Sequence, residues 1–482
     1  MSARVSEMIA TPIAAAILVA ACGGSTEPRA LPRSVSIVAE RSASDTIGAA
    51  LGAPVTVDVR DPATGDARAG ASVRFVAVHD DPHRDELILP NGSPLDSTTV
   101  ATDAVGRATL ALRLGVRAGV HRLVARVDGP AGADTATFNV QAGQPASLVL
   151  APRDTAVTLG ERFAVATALV DRGGNSTPGI VSYASSSPVS CPIDPVGVVR
   201  ALTAANCTIT ATAGVVTATA TATLLPNASL LVMRGATLGT LALDGSGFSA
   251  IADIDPLAGV GRFRWSASGK EVAFTQRANG VTRVGVLGFD ARTRFLPALP
   301  IDVARARVSG DEAWVVGITA VTPATLTAAI WRLSADGTAS FALCAACDFS
   351  TSFVEISNDG RWVIYGDQSR VELVDAATGH DSPLGPETLR ARFSADASRF
   401  AYVSASTGEL RVRNTDASGD RRVAGGLDSI TFGSVVNWSP DGQWIVASIG
   451  SRYYVVGATT GLALPLPTSI GGVYAVFDGW RP

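Results

Sequence analysis

Lysine is nearly absent from the sequence: Lys270 is the only lysine among 39 basic residues, and 43 acidic residues leave a net charge of −4. With this charge the chain lacks the positive electrostatic potential that nucleic-acid-binding proteins usually have, which argues against nucleic-acid binding. No apolar run of 18 or more residues follows the N-terminal region, which argues against a polytopic membrane protein. Charged residues make up only 17% of the chain, but hydrophobic residues reach 47%, which excludes bulk disorder.

The first residues have the pattern of an export signal. Residues 9–21 are largely apolar, too short to span a membrane and of the right length for a signal-peptide core. The segment ends in Leu18-Val19-Ala20-Ala21-Cys22, which resembles a bacterial lipobox. An ordinary secretory signal followed by a fortuitous cysteine is the alternative interpretation.

The lipobox resemblance implies a modified N-terminus and a cellular location. Residues 1–21 would be a lipoprotein signal peptide, Cys22 would be lipidated and anchor the chain in the membrane, and residues 22–33 would be a flexible tether. Gly23 after the cysteine implies sorting to the outer membrane in that family. Four other cysteines remain, Cys191, Cys207, Cys344 and Cys347. An even number in an oxidising compartment favours disulfides.

After residue 30, short alternating segments separated by Gly, Asp, Asn and Pro predict an all-β chain. Residues 34–142 contain about seven such segments, as a β-sandwich requires. Three stretches resemble bacterial immunoglobulin-like domains of the invasin and intimin type: PVTVDVRDPATGDARAGASVRF (54–75), TDAVGRATLAL (102–112) and AGVHRLVARV (118–127). This resemblance implies that residues 34–142 form a first immunoglobulin-like β-sandwich.

A second series of strands and turns occupies residues 145–226. The stretches ASLVLAPRDTAVTLGERFAVATALVD (146–171) and GVVRALTAANCTITAT (197–212) resemble a second class of bacterial immunoglobulin-like repeats, which implies a second immunoglobulin-like β-sandwich. Cys191 and Cys207 depart from that family's pattern together, which implies a Cys191–Cys207 disulfide. Two free buried thiols are the alternative.

An internal repeat occupies residues 227–482. Five segments share a strand, a polar turn and a second strand around Ser266, Ser309, Ser357, Ser394 and Ser439, at spacings of 43, 48, 37 and 45 residues. Trp438-Ser439-Pro440-Asp441-Gly442 matches the core of the TolB-type propeller repeat. The resemblance implies a six-bladed β-propeller. Because Gly310-Asp311-Glu312 and Ala395-Asp396-Ala397 lack the usual glycine, different turns are expected there.

Two further expectations concern this repeat region. Trp480 follows Trp438 at the repeat spacing, so the two chain ends should share the sixth blade. Cys344 and Cys347 lie between the second and third repeats, in an expected connection. A local structural disulfide is the main interpretation for them, with a redox pair and half of a zinc site as the alternatives.

The sequence offers few groups for chemistry, and we expect neither a cofactor nor a catalytic or metal-binding residue set. The four histidines are His79, His83, His121 and His380, of which only His380 falls in the propeller region. The charged segment around His79 and His83 fits a solvated loop better than a cation site. Asp253 and Asp255 are expected to edge a loop, and no Gly-x-Ser-x-Gly nucleophile elbow occurs.

Two functions from different classes remain. The first is a non-catalytic cell-envelope lipoprotein, which the lipobox resemblance assigns to the outer membrane. Its propeller would bind a protein or a glycan, and its immunoglobulin-like domains would form the stalk that carries the propeller. Adhesion would be one such role. The second is a propeller enzyme, a polysaccharide lyase or hydrolase, in which His380 would serve the reaction.

Overall fold

The computed structural model describes residues 35–78, 87–127, 132–254, 263–266, 269–303, 305–319, 327–348, 353–366, 371–385, 388–424, 436–449, 452–473 and 475–480. These residues contain 42 strands and one helix, α1 (Thr468–Val473), so the fold is all-β as expected. No helix of this described part is long and apolar enough to cross a membrane. The chain divides into two compact units, Met1–Gln144 with Asp171–Thr177, and Pro145–Val170 with Pro178–Pro482.

The first unit is built from two main sheets around one apolar core. The sheet orders are β1-β3-β7, β2-β10-β9-β4-β6 and a short pair β5-β8. Val57 from the smaller sheet and Phe75 and Phe138 from the larger sheet are fully buried in this core. The strands are β1 (Val35–Ala39), β2 (Ser42–Thr46), β3 (Val55–Val59), β4 (Ser72–Val78), β5 (Leu87–Ile88), β6 (Ser97–Ala101), β7 (Arg107–Leu110), β8 (Arg113–Leu114), β9 (Gly119–Val127) and β10 (Ala133–Gln141).

A buried aspartate holds the segment Asp171–Thr177 in this unit. The Asp171 carboxylate accepts hydrogen bonds from the backbone N–H groups of Gly143 at 2.7 Å, Gly173 at 2.8 Å and Asn175 at 3.0 Å. The Asn175 side chain donates to the Val116 carbonyl at 2.7 Å. Burial raises the pKa of Asp171, but the hydrogen bonds outweigh burial and lower it overall.

The second unit begins with a smaller group of sheets around its own core. Their orders are β11-β14, β12-β18-β17-β15 and β13-β16. Alternation is strong in β17, where Cys207, Ile209 and Ala211 are buried. The strands are β11 (Pro145–Ala151), β12 (Asp154–Thr158), β13 (Arg162–Ala164), β14 (Ala166–Asp171), β15 (Ser182–Ser185), β16 (Val198–Arg200), β17 (Ala205–Ala213) and β18 (Val216–Leu225).

The structure contains the disulfide expected between Cys191 and Cys207, with the two Cα atoms 6.7 Å apart. Both cysteines are buried in the core beside Val199 and Ile209. The bridge closes a separation of 16 residues. In the chain-entropy model, a loop of this size contributes about 3 kcal/mol by restricting the unfolded chain.

Six four-stranded antiparallel sheets follow within the described residues, as in a β-propeller. Their orders are β21-β20-β19-β42, β22-β23-β24-β25, β26-β27-β28-β29, β30-β31-β32-β33, β34-β35-β36-β37 and β38-β39-β40-β41. The strands are β19 (Ser229–Arg234), β20 (Thr237–Ala242), β21 (Ser249–Asp253), β22 (Arg264–Trp265), β23 (Glu271–Ala278), β24 (Val281–Gly288), β25 (Thr293–Ala298), β26 (Arg305–Val308), β27 (Trp314–Ile318), β28 (Thr327–Ser334), β29 (Ser340–Asp348), β30 (Phe353–Ile356), β31 (Trp362–Gly366), β32 (Val371–Asp375), β33 (His380–Pro383), β34 (Thr388–Phe393), β35 (Arg399–Ser404), β36 (Leu410–Asn414), β37 (Arg421–Ala424), β38 (Val436–Trp438), β39 (Trp444–Ile449), β40 (Arg452–Gly457), β41 (Ala463–Pro465) and β42 (Ala475–Trp480).

The two ends of this series share one sheet, as the repeat spacing predicts. Strand β42 pairs antiparallel with β19, and Trp480 lies opposite Leu230. Both side chains are buried in one core with Val446 and Leu464. The pairing protects an edge of β19 that would otherwise present unpaired backbone groups.

A buried serine explains the repeated sequence motif. At the end of its strand, Ser439 accepts a hydrogen bond from the Trp444 N–H at 2.8 Å and donates to Asp441 at 2.5 Å. Asp441 in turn accepts from the Gln443 N–H at 2.9 Å. Three other repeats have the same set of bonds, around Ser309, Ser357 and Ser394. The serine and the aspartate therefore accept hydrogen bonds from backbone N–H groups of the turn that strand pairing leaves without a partner.

The turns without glycine do not differ, contrary to the expectation from the sequence. Gly360 and Gly442 have φ values of 69° and 64°, and Glu312 and Ala397 have φ values of 61° and 57° at the matching positions. The serine-centred hydrogen bonds hold these two L-residues in the left-handed conformation, which costs an L-residue about 1–2 kcal/mol.

The Cys344–Cys347 pair is also bonded, but it lies in a strand rather than in a connection. Both cysteines belong to β29, the fourth strand of its sheet. Cys344 lies opposite Ile330, and Cys347 lies opposite Ala328. Strand β29 therefore advances by three residues where β28 advances by two. The disulfide therefore spans a β-bulge, which the sequence did not reveal because a bulge interrupts the alternating pattern.

We predict that Ala397→Gly stabilises the protein. Glycine removes the left-handed strain but adds freedom to the unfolded chain, so we expect a net gain of about 0.5–1 kcal/mol. Urea unfolding followed by tryptophan fluorescence measures it, because all seven tryptophans lie between residues 265 and 480. Gly442→Ala is the matched control and should lose stability. A loss of stability in Ala397→Gly would contradict the proposed strain.

A second prediction concerns acid stability. Arg361 donates to both carboxylate oxygens of Asp375, at 3.1 and 2.8 Å, and these bonds lower the pKa of Asp375 to about 2. Because the folded-state pKa is depressed, the stabilisation is complete above the unfolded value of 3.8 and disappears as the pH falls towards 2. Asp375→Asn should flatten the loss of unfolding free energy between pH 4 and pH 2. Asp381→Asn, at an exposed aspartate, is the control, and equal slopes in both variants would refute the role of the pair.

Candidate functional site

The first strand of each repeat sheet lies beside the first strands of other sheets. Strand β42 contacts β22 and β38, β34 contacts β38 and β30, and β30 contacts β26. Side chains on the facing sides of these strands therefore come from different sheets and lie close together. Five polar residues on them form the first-strand cluster: Arg264, Arg307, Glu355, Arg392 and Asn437.

Glu355 is the centre of the first-strand cluster. Its side chain is 1% exposed and pairs with three guanidinium groups: Arg264 Nη1 at 3.3 Å, Arg307 Nε at 3.4 Å and Arg392 Nη1 at 2.9 Å. The three arginine side chains are 12%, 4% and 16% exposed. Ion pairs as buried as these have strong mutual attraction, and removing one partner is costly.

Arg264 also joins backbone groups of neighbouring sheets. Its Nη1 donates to the carbonyls of Val308 at 3.1 Å and Ile356 at 2.7 Å, and its Nη2 donates to Asn358 Oδ1 at 3.0 Å. The planar guanidinium offers five N–H donors in a fixed arrangement, so one side chain can hold several acceptors in place. Arg264 thus links β22 to the strands β26 and β30.

A cavity of about 240 Å³ opens over the cluster. It is lined by Arg264, Trp265, Ser266, Glu355, Asn358, Arg392, Phe393, Ala395, Asn437, Trp438, Pro440 and Trp480. Two of its indoles are fixed by hydrogen bonds: Trp438 Nε1 donates to the Arg392 carbonyl at 2.9 Å, and Trp480 Nε1 donates to the Asn437 carbonyl at 3.2 Å. The cavity is therefore lined by charged and aromatic side chains, and two of the aromatic ones are held by hydrogen bonds to the backbone.

The sequence contains a signal for this cluster that lies outside the shared serine motif. Every cluster residue stands two positions before a repeat serine: Arg264 before Ser266, and likewise at the four other repeats. Strand alternation places this position on the same face in each first strand. The residue type at this position varies among the repeats, whereas the serine is shared by all five.

The candidates from the sequence lie elsewhere. His380 is exposed on β33, the fourth strand of its sheet, three strands from β30. His121 is buried in β9, and Asp253 ends β21, where it accepts from Thr237 at 2.7 Å. Cys22, with the predicted signal peptide and tether, and His79, His83 and Asp255 lie outside the described residues. No group of three or more His, Cys, Asp or Glu side chains suited to a metal ion occurs among the residues that the structure describes.

A third prediction tests the cluster. Glu355→Gln leaves three buried guanidiniums without their shared carboxylate, so we expect a loss of about 3 kcal/mol or more in the free energy of unfolding. Glu271→Gln is the control, because Glu271 and its ion-pair partner Arg294 are 38% and 51% exposed. Exposed pairs contribute about 0–1 kcal/mol. Urea unfolding of both variants measures the difference, and equal small losses would contradict a structural role for Glu355.

No protein-family model matches the chain, and no curated protein matches it in sequence. Among solved structures, TolB from Acinetobacter baumannii is similar over 53% of this chain and 66% of its own, at 15% identity and a TM-score of 0.41. A putative TolB from Agrobacterium tumefaciens covers 53% of this chain and 99% of its own, at 14% identity and 0.36. An oligogalacturonate lyase in complex with manganese covers 65% and 100%, at 12% identity and 0.34. Similarity at these values assigns no function.

Proposed function

We propose that the chain is a non-catalytic cell-envelope lipoprotein in which a propeller binds a protein or a glycan. Residues 227–482 would form a six-bladed, TolB-like propeller, and residues 34–142 and 145–226 would form an immunoglobulin-like stalk. Cys22 would carry the lipid that anchors the stalk, at the outer membrane. The six four-stranded sheets and the pairing of β19 with β42 support a closed ring of blades.

The observation that carries this proposal is the cavity over the first-strand cluster. Side chains from β22, β30, β34, β38 and β42 line it, so it forms only when several sheets are in place. Pockets that combine aromatic walls with a few converging polar groups are typical ligand sites. Asn358, Asn437 and the arginines supply those polar groups here.

The same geometry favours binding over catalysis. The oxygens of Glu355 face three guanidiniums, so the carboxylate stabilises the cluster instead of presenting itself to a substrate. His380, the residue that a lyase or hydrolase reaction would have used, lies on the fourth strand of its sheet. A propeller enzyme remains the alternative function, and consumption of a glycan would reveal it.

A fourth prediction tests the site. Ala395 lines the cavity, so Ala395→Trp should fill it and abolish capture of the ligand. The full chain, immobilised under oxidising conditions, is exposed to an envelope extract and a glycan panel. The wild type should retain a saturable partner that the variant loses.

The matched control is Ala278→Trp, at an exposed alanine on β23. It should capture the same partner as the wild type. Equal capture by Ala395→Trp would place binding elsewhere on the chain and overturn the proposed site. Shortening of a glycan on the immobilised protein would overturn the non-catalytic function.

A further inference from the structure

The two disulfides of the described residues lie in different surroundings. Cys191 and Cys207 are 0% and 2% exposed, in the core of the smaller group of sheets, and are 16 residues apart in sequence. Cys344 and Cys347 are 3 residues apart within the single strand β29. Cys347 is buried, but Cys344 is half-buried and the next residue, Ala345, is exposed. The first bridge is therefore shielded by a core, whereas the second has one cysteine close to the surface.

The short bridge depends on the β-bulge in β29. Residues three apart in an extended strand are separated by about 10 Å and point to opposite faces. A disulfide joins Cα atoms that are at most about 7 Å apart. The Cα atoms of Cys344 and Cys347 are 5.9 Å apart, and both side chains pack in one core with Ile330 and Ala328, the residues opposite them. The extra residue of the bulge therefore brings both cysteines to the same face.

Strand β29 lies at the edge of its sheet. It is the fourth strand and pairs only with β28 among the strands that the structure describes. A second irregularity precedes the bridge, since Trp331 is opposite Ala342 and Ile330 is opposite Cys344. An edge strand can lose or shift its pairing without disturbing a neighbour on the other side. The disulfide therefore constrains an irregular segment whose backbone pairing can change locally.

Restriction of the unfolded chain is a smaller contribution for this bridge than for the buried one. In the chain-entropy model, the stabilisation by a disulfide increases with the length of the loop that it closes. The Cys344–Cys347 loop is much shorter than the Cys191–Cys207 loop. Reactivity towards a thiol depends instead on access to one of the two sulfur atoms. The position of Cys344 favours such access, whereas burial in a core prevents it at Cys191 and Cys207.

We propose that Cys344–Cys347 is a thiol–disulfide exchange site that accepts electrons from a protein dithiol of the thioredoxin class. A thiolate of the donor attacks the sulfur of Cys344, the more exposed cysteine, and forms a mixed disulfide with it, while Cys347 leaves and takes up a proton. The second thiol of the donor loses its proton and attacks the donor sulfur of the mixed disulfide. This step forms the donor's own disulfide and releases Cys344 as a thiol. Two electrons and two protons pass from the donor to the chain.

Reduction removes a constraint on the bulge. Without the sulfur–sulfur bond, Cys344 and Cys347 no longer have to share one face, so β29 opens more often and its backbone N–H groups exchange faster with solvent. Cys191–Cys207 stays oxidised, because a donor reaches its sulfurs only when the surrounding core opens. This inference goes beyond the proposed ligand binding and does not depend on it.

The fifth prediction is a selective reduction of the full, folded chain. Dithiothreitol and reduced thioredoxin are added in separate titrations, thiols are trapped with iodoacetamide, and peptide mapping locates them. We expect Cys344 and Cys347 to be alkylated at reductant concentrations at least about tenfold below those that label Cys191 and Cys207. Hydrogen exchange should then be faster in β29 and unchanged in β17, which contains Cys207.

The double variant Cys344→Ser with Cys347→Ser is the matched control. Its β29 should exchange as fast as in the reduced wild type and should not respond to dithiothreitol, and urea unfolding verifies that the variant is folded. Labelling of Cys191 and Cys207 together with or before the other pair would overturn the exchange site. Reduction by dithiothreitol but not by thioredoxin would overturn the proposed class of donor. Unchanged hydrogen exchange in β29 after reduction would overturn the link between the bond and the bulge.

Discussion

A buried serine hydroxyl at the end of a strand is the interaction on which the repeat region depends. Ser309, Ser357, Ser394 and Ser439 each accept from a backbone N–H five residues later and donate to an aspartate two residues later. These bonds fix the turn, and the turn fixes the register of the two strands it joins. The register determines which side chains face the neighbouring sheets, because a slip of one residue would move every side chain of the strand to the opposite face of its sheet.

The first-strand cluster is a consequence of this fixed register. Each cluster residue lies two positions before a repeat serine, so the turns bring three arginines, one glutamate and one asparagine to equivalent places. One family of turns thereby aligns Arg264, Glu355 and Arg392, which are far apart in sequence, within ion-pair distance. The repeated part of the motif provides the scaffold, and the variable part provides the chemistry.

Much of the architecture could be predicted from the sequence because it depends on local patterns. Alternation predicts the strands, the serine spacing predicts the repeat, and the spacing from Trp438 to Trp480 predicts that the two ends of the repeat region share a sheet. The ion pairs of Glu355 could not be predicted, because they join residues of different sheets whose relative position only the fold determines. The conformation of Ala397 was also missed: residue type alone favours glycine there, but the surrounding hydrogen bonds determine the backbone.

The pairing of β19 with β42 has a consequence for biosynthesis. Strand β19 begins at Ser229 and its partner ends at Trp480, so more than two hundred further residues must follow β19 before the two strands can meet. Contacts over such a separation form slowly, because the intervening chain loses conformational entropy before the pairing of the two strands stabilises it. During that interval the edge of β19 is exposed to other chains.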